Sequence, residues 1–350
     1  MRRRRRQRGH ALLILAGALT AVALIAGILV ALRVIPLLGA GSAANATPLT
    51  HHHTVAPKPK PKPPPAKPQP GAIGSYQVRS VSYTFYDSSR PQLGTRMLPV
   101  LVRYPVVPAA EVAAGKLTKG PFPLVVFSPG WLQCASSYES LLRDWSSAGY
   151  VVAVISFPRT TCGGPGPEGD MMNEPGDVST VITRLLGLSA KTTDGLSGMI
   201  NPGAIAVAGH SDGGDVTAAV AANTCCLDSR VTAAIVLAGS EYPYGGTYFP
   251  SGTPPILFVQ GDADPVNVPA DSQQLYQSDT ASTSFYLDLL GYSHFTPYEG
   301  DAAPEPIVAR VGVDFLNRYL AGEVSYGGAL TADGNVPGQA RLYTGGQFSG

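Results

Sequence analysis

Three residues that together could support nucleophilic catalysis each come shortly after a short apolar run of the sequence. They are Ser211, Asp264 and His294, in that order along the chain. A serine hydroxyl becomes a nucleophile when a base takes its proton, and a histidine base needs a carboxylate to fix its tautomer. The spacing therefore predicts a catalytic triad of these three residues.

Ser211 lies at the centre of a G-H-S-D-G pentapeptide, which matches the pattern G-x-S-x-G. The pattern alone is weak evidence in a chain with 40 glycines. Its context is stronger, because a strand-like apolar run precedes it at 205–208 and a helix-like run of small residues follows it at 213–222. A sharp strand-to-helix turn of this kind makes a serine hydroxyl project from the edge of a sheet.

The candidate base and the candidate acid are identified by where they lie in the sequence. Of six histidines, four lie within residues 1–53. His210 is adjacent to Ser211, where side chains on a sharp turn point apart, so His294 is the predicted base. Asp264 is the favoured acid, and two alternatives remain: Asp262, which could instead brace the loop, and Glu241, which follows the preceding apolar run.

The globular sequence alternates between short apolar runs and helical patterns, which is typical of buried parallel strands flanked by helices. It predicts a doubly wound α/β domain from residue 75 onward, with a mostly parallel sheet of about eight strands. In such sheets the chemistry lies at the carboxyl ends of the strands. The order serine, aspartate, histidine is that of α/β-hydrolases, so the fold expected for residues 75–322 is an α/β-hydrolase fold with an eight-stranded sheet, followed by a C-terminal tail at 323–350.

Ester hydrolysis also needs two N–H donors for the oxyanion, each contributing ~3 kcal/mol. One predicted donor is the backbone N–H of Asp212, directly after the nucleophile. The other should come from the loop after the strand at 124–127, where Gly130 and Trp131 permit close approach of the backbone.

Four stretches, at 122–131, 209–214, 261–264 and 293–295, resemble the dienelactone hydrolase-like branch of the α/β-hydrolases. That branch includes platelet-activating-factor acetylhydrolases and cutinase-type polyester hydrolases. The resemblance implies that Trp131 both donates to the oxyanion and flanks the substrate. It also implies that the strands before Cys134 and Cys162 are neighbours, which would allow a disulfide between these cysteines.

The remaining two cysteines, Cys225 and Cys226, are adjacent. They could pack as free thiols or form a vicinal bridge. The spacing of a zinc or redox C-x-x-C site is absent from the sequence.

The N-terminal segment predicts export. Residues 1–10 form a basic cytoplasmic segment, and residues 11–38 a transmembrane helix or signal anchor, of which 11–32 carry no charge. Such a length, about 33 Å as a helix, spans a bilayer core. An A-N-A site at 44–46 is the alternative, a cleaved signal peptide. Either would place the remainder outside the cytoplasm.

Residues 39–74 are predicted to be a disordered Pro/Lys-rich linker, stiffened by polyproline II between 55 and 70. The three histidines at 51–53 lack the separated geometry of a metal site. No acidic residue occurs in residues 1–70, so the 24 Asp and Glu all lie in the globular part. That acidic balance excludes a typical nucleic-acid-binding surface.

Together these features predict a serine hydrolase that cleaves an ester, lipid or polyester substrate through an acyl-enzyme, with no cofactor. Two alternatives stay open. One is acyl transfer to a lipid or polymer of the cell envelope, and the other is a catalytically silent surface protein on a hydrolase scaffold. The sequence does not select the natural ester or the oligomeric state.

Overall fold

The computed structural model describes residue 64, residues 66–300 and residues 302–348. Within these ranges no helix is both long and apolar enough to cross a membrane. The predicted span at 11–38, the basic segment before it and most of the predicted linker lie outside the described residues.

Nine strands and seven α-helices make up the described part of the chain. The strands are β1 (Gln77–Asp87), β2 (Arg96–Val106), β3 (Phe122–Ser128), β4 (Val151–Ile155), β5 (Ile200–His210), β6 (Val231–Leu237), β7 (Ile256–Gly261), β8 (Ser284–Leu289) and β9 (Ala340–Thr344). The helices are α1 (Ala109–Ala113), α2 (Glu139–Ser147), α3 (Glu174–Ser189), α4 (Asp212–Ala222), α5 (Pro269–Ser278), α6 (Glu305–Tyr319) and α7 (Tyr326–Asp333).

All nine strands join one sheet in the order β1-β2-β4-β3-β5-β6-β7-β8-β9. The strands from β4 to β8 in this order pair in parallel, and β1, β2 and β9 are antiparallel. The mostly parallel α/β sheet predicted from the sequence is therefore confirmed, with nine strands where eight were expected.

The central strands are apolar because helices cover both faces of the sheet. Every residue of β3, β4 and β7 is buried. One core includes side chains of α3, α4 and α5, and the other includes side chains of α2, α6 and α7. Because these strands are parallel, the carboxyl ends of β3, β5, β7 and β8 lie at one edge of the sheet.

The fold extends beyond the boundaries expected at both ends. β9 lies in the expected C-terminal tail, and it pairs with β8 through Leu287 and Leu342. At the other end, the Gly71 N–H donates to the Ala148 carbonyl at 2.7 Å, and the Gly74 N–H donates to Ser147 Oγ at 2.8 Å. The last residues of the expected linker are thus part of the folded domain.

Both pairs of cysteines are disulfide-bonded. Cys134 bonds to Cys162, joining the loop after β3 to the loop after its neighbour β4. This is the pairing that the sequence resemblance implied. Cys225 bonds to Cys226 just after α4. Of the two options for this adjacent pair, the structure has the vicinal bridge.

Candidate active site

Ser211 occupies a sharp turn between β5 and α4. Its φ of 57° and ψ of −126° place it outside the regions that non-glycine residues ordinarily adopt. Two hydrogen bonds hold this conformation: the Ser211 N–H donates to the Leu237 carbonyl at 2.9 Å, and the Gly214 N–H donates to the Ser211 carbonyl at 2.7 Å. The turn fixes the serine at the carboxyl edge of the sheet.

The glycines on either side of Ser211 are required by close backbone contacts. A Cβ atom on Gly209 would lie 2.0 Å from the Gly213 carbonyl oxygen, and one on Gly213 would lie 2.0 Å from the Ser128 carbonyl oxygen. Both distances are far below van der Waals contact. The G-x-S-x-G pattern is therefore a packing requirement of this turn.

The three predicted triad residues form one line of hydrogen bonds. His294 Nε2 lies 2.9 Å from Ser211 Oγ, and His294 Nδ1 lies 2.7 Å from Asp264 Oδ2. All three side chains are buried. A histidine that donates from Nδ1 to a carboxylate keeps a lone pair on Nε2, facing the serine hydroxyl.

The surroundings of Asp264 favour its ionised form. Its Oδ1 accepts the N–H groups of Val266 at 2.8 Å and Asn267 at 3.1 Å, and its Oδ2 also accepts from Gln260 Nε2 at 2.9 Å. Burial acts to raise the pKa of Asp264, but these hydrogen bonds and the contact with His294 outweigh burial, so the pKa lies below its usual value.

The two alternative acids lie elsewhere. Asp262 Oδ1 accepts the N–H of Gly291, so it ties the segment that follows β7 to the loop after β8. Glu241 is exposed in the loop after β6. Of the three candidates, Asp264 is the one whose carboxylate contacts His294.

The loop after β3 passes close to the nucleophile. A Cβ atom on Gly130 would lie 3.1 Å from Ser211 Cβ, which shows how near the backbone comes. The next residue, Trp131, exposes 42% of its surface, and its indole N–H donates to the Gly166 carbonyl at 3.2 Å. The predicted N–H donors, those of Trp131 and Asp212, sit on this loop and on the first residue of α4. Their role in binding an oxyanion remains a prediction.

His210 has a position that the sequence did not reveal. Its ring is fully buried behind Ser211, with Nδ1 2.9 Å from Tyr138 Oη and Nε2 3.0 Å from the His294 carbonyl oxygen. Burial and the adjacent His294 lower the pKa of His210 to about 3. His210 is therefore a neutral partner of the base, which no local sequence pattern indicates.

A wall of the site is formed by the segment between β4 and α3. Its Thr160 carbonyl accepts the Leu132 N–H at 2.5 Å, and Cys162 bonds to Cys134. The buried carboxyl of Glu174, where α3 begins, accepts a hydrogen bond from the Thr160 hydroxyl. Burial raises the pKa of Glu174 to about 8, against the lowering effect of that hydrogen bond.

Charged side chains also hold the segment between β4 and α3 in place. We call this group the arginine network: Asp87, Arg90, Arg96, Asp170 and Asp177. Arg96 and Asp177 are nearly inaccessible, with 4% and 0% of their side chains exposed, and are joined at 2.5 Å. Because Asp170 and Asp177 flank the start of α3, the network fixes this helix and the wall segment to β1 and β2.

Of the ten large apolar residues that are exposed in the described part of the chain, six lie on the loops of this edge. They are Trp131, Leu132, Met172, Val266, Val268 and Phe295. A cluster of this kind is typical of a surface that contacts an apolar partner or substrate.

A family model described as PET hydrolase-like matches residues 110–340, which is more than half of the chain. A search of curated proteins finds no match. The matched range includes Ser211, Asp264 and His294, and the resemblance to polyester hydrolases noted in the sequence is confirmed. The chain belongs to the PET hydrolase-like family.

Proposed function

We propose that this protein is a serine hydrolase of carboxylic esters, including polyesters, and that Ser211, His294 and Asp264 are its catalytic triad. The observation that carries the proposal is the position of the His294 imidazole, hydrogen-bonded to Ser211 Oγ at 2.9 Å and to Asp264 Oδ2 at 2.7 Å. Membership of the PET hydrolase-like family supports ester hydrolysis independently of this geometry.

The proposed reaction has two halves. Ser211 Oγ attacks the ester carbonyl while His294 Nε2 takes its proton, and Asp264 stabilises the resulting imidazolium. The oxyanion is held by the N–H groups of Asp212 and Trp131 until the alcohol leaves with the proton from His294. Water then enters, His294 removes its proton, and the acyl-enzyme is hydrolysed to release the acid and restore Ser211. No cofactor takes part in either half.

The substrate class is proposed from the surface around Ser211. Trp131 lies on the oxyanion loop and Phe295 directly follows the base, and both are exposed. Exposed aromatic side chains on the loops that carry the oxyanion donor and the base suit an ester with an aromatic or aliphatic acyl group. They also suit a polymer chain that lies across the site, where the apolar rim remains in contact after each cleavage.

We also propose that the catalytic domain works outside the cytoplasm. Four cysteines form two disulfides, and such bonds persist in oxidising compartments. The uncharged segment at 11–32 supports export as well. Protease treatment of intact cells tests this proposal: digestion of the domain is expected, and complete protection until lysis would contradict it.

Turnover of p-nitrophenyl butyrate by the full chain tests the activity. We expect Ser211→Ala to lower kcat by about 10⁴-fold or more, because catalysis by the triad is lost with its nucleophile. The matched control is Ser278→Ala at an exposed position on α5. Equal turnover by Ser211→Ala and the wild type would overturn the assignment.

A further inference from the structure

Three hydrogen bonds connect the oxyanion loop to the loop that carries the base, and they pass through His210. The Gly130 N–H lies 3.1 Å from Tyr138 Oη, which lies 2.9 Å from His210 Nδ1, and His210 Nε2 lies 3.0 Å from the His294 carbonyl oxygen. We call Gly130, Tyr138 and His210, which end on the His294 carbonyl, the neutral chain. It joins segments more than 160 residues apart through the residue next to the nucleophile.

The protons of the neutral chain have one consistent arrangement. A carbonyl oxygen can only accept, so His210 Nε2 carries the proton that is donated to His294. His210 Nδ1 then holds a lone pair, and the Tyr138 hydroxyl donates to it. The Tyr138 oxygen is left to accept the Gly130 N–H. Both ring nitrogens of His210 are therefore used, and the direction of all three hydrogen bonds is fixed.

The chain carries no net charge. His210 and Tyr138 are fully buried. Burial and His294 lower the pKa of His210 to about 3, and burial raises the pKa of Tyr138 far above its usual value. Neither side chain gains or loses a proton near neutral pH, so the chain can hold the base without adding a charge beside it.

We propose that His210 and Tyr138 are positioning residues, which set the oxyanion loop and the backbone of His294 relative to Ser211. This inference rests on the proposed function. The His210 ring packs on the His294 ring with centroids 4.7 Å apart, and on the Tyr298 ring at the same distance. The His294 imidazole therefore contacts a rigid partner on one side while its Nε2 faces the serine.

A positioning role and an ordinary packing role predict different values of kcat per folded site. Loss of packing lowers stability and the fraction of folded enzyme, but leaves each folded site as active as before. Loss of positioning lowers kcat in each folded site, because a shift of about 1 Å in a catalytic group lowers the rate by about 100-fold. Rates are therefore expressed per active site, titrated with a phosphonate ester.

The first variant is Tyr138→Phe, which keeps the ring and removes the hydroxyl shared by Gly130 and His210. We expect kcat per titrated site to fall by about 10- to 100-fold with little change in KM. The matched control is Tyr150→Phe, another fully buried tyrosine, whose hydroxyl donates to Asn317 Oδ1 at 2.6 Å away from the site. It should lower stability without lowering kcat. Similar kcat values in both variants would overturn the inference.

A second pair of variants separates the two ends of the chain. A glutamine amide at position 210 reaches the place of the histidine Nε2, and an asparagine oxygen reaches that of Nδ1. His210→Gln keeps a donor to the His294 carbonyl, so the acid limb of its pH profile of kcat/KM should match that of the wild type. His210→Asn loses this donor, so its acid limb should move to a different pH. Identical profiles in both variants would count against the positioning role.

A measurement on the unmodified protein covers the case in which variants fail to fold. Nitrogen-15 NMR of the histidine rings should show His210 neutral and protonated on Nε2 from pH 5 to 8. Titration of His210 in that range would refute the inference. The proposed function fails separately, if the wild type cleaves no ester or if Ser211→Ala is as active as the wild type.

Discussion

Two sets of largely buried polar residues hold the carboxyl edge of the sheet. The neutral chain is uncharged, and the arginine network consists of charged side chains. The neutral chain reaches His294 itself and carries no charge. The arginine network pairs its charges with one another and reaches the site through the wall segment before α3. A formal charge beside a histidine would alter its protonation. The comparison indicates that charged pairs fix the scaffold, whereas the base has a single charged partner, Asp264, and its backbone is held by neutral hydrogen bonds.

The largest expected effect lies at the acid that touches the base. Asp264→Asn should lower kcat by about 10⁴-fold, because the amide favours the wrong tautomer of His294. Thermal unfolding should change little. Asp262→Asn is the matched control, since Asp262 accepts a loop N–H instead. A greater loss of activity at Asp262 than at Asp264 would reverse the assignment of the acid.

The arginine network should show the opposite pattern, a loss of stability with catalysis retained. Asp177→Asn removes the charge that Arg90 and Arg96 share, and breaking a buried pair lowers the free energy of unfolding by about 3–5 kcal/mol. Denaturant unfolding measures this change. We expect kcat per titrated site to stay within a few-fold of the wild type.

A surface ion pair provides the control for that experiment. Glu111 and Lys116 lie 3.5 Å apart and are largely exposed, so Glu111→Gln should change stability by less than about 1 kcal/mol. If Asp177→Asn destabilised no more than Glu111→Gln, the arginine network would not be the scaffold described above.

The disulfide between Cys134 and Cys162 connects the two regions, because it joins the oxyanion loop to the wall segment. Replacing both cysteines by serine should lower the free energy of unfolding by about 3 kcal/mol, given their sequence separation of 28. Equilibrium unfolding in urea measures this loss. The vicinal pair Cys225 and Cys226 closes no long loop, and its replacement should have a much smaller effect.

Glu174 should produce an effect on stability that depends on pH. Its pKa is about 8 in the folded state and near its usual value when unfolded, so the folded protein binds the extra proton. Stability should therefore decline as pH rises from about 4.5 to 8. Glu174→Gln should remove this part of the decline.

The measurement is the unfolding midpoint across that pH range, with Glu168→Gln, an exposed carboxylate of the wall segment, as the control. A decline that is identical in the wild type and in Glu174→Gln would show that Glu174 does not contribute to it.

The sequence was sufficient to predict the site residues that lie at the carboxyl ends of strands. Ser211, Asp264 and His294 each follow a buried strand, and parallel strands bring such residues to one edge. β9 was missed because it is a five-residue edge strand without a continuous apolar run. The Cys134–Cys162 bridge came from the resemblance, which implied that β3 and β4 are neighbours.

The supporting contacts could not be predicted, because their partners are distant in sequence. His210 gains its role from Tyr138 and from a backbone carbonyl 84 residues away. Arg96 and Asp177 are 81 residues apart. Neither the helical nor the strand period encodes such pairs, since they depend on the crossing of loops over the sheet edge.

The central claim is that Ser211 is the nucleophile, and covalent labelling tests it most directly. A p-nitrophenyl alkylphosphonate should release one equivalent of nitrophenol per chain and leave a stable adduct on the peptide that contains Ser211. Loss of esterase activity should follow the labelled fraction, and Ser211→Ala should take up no label. Complete inactivation with the adduct on another residue, or full activity after labelling of Ser211, would contradict the account.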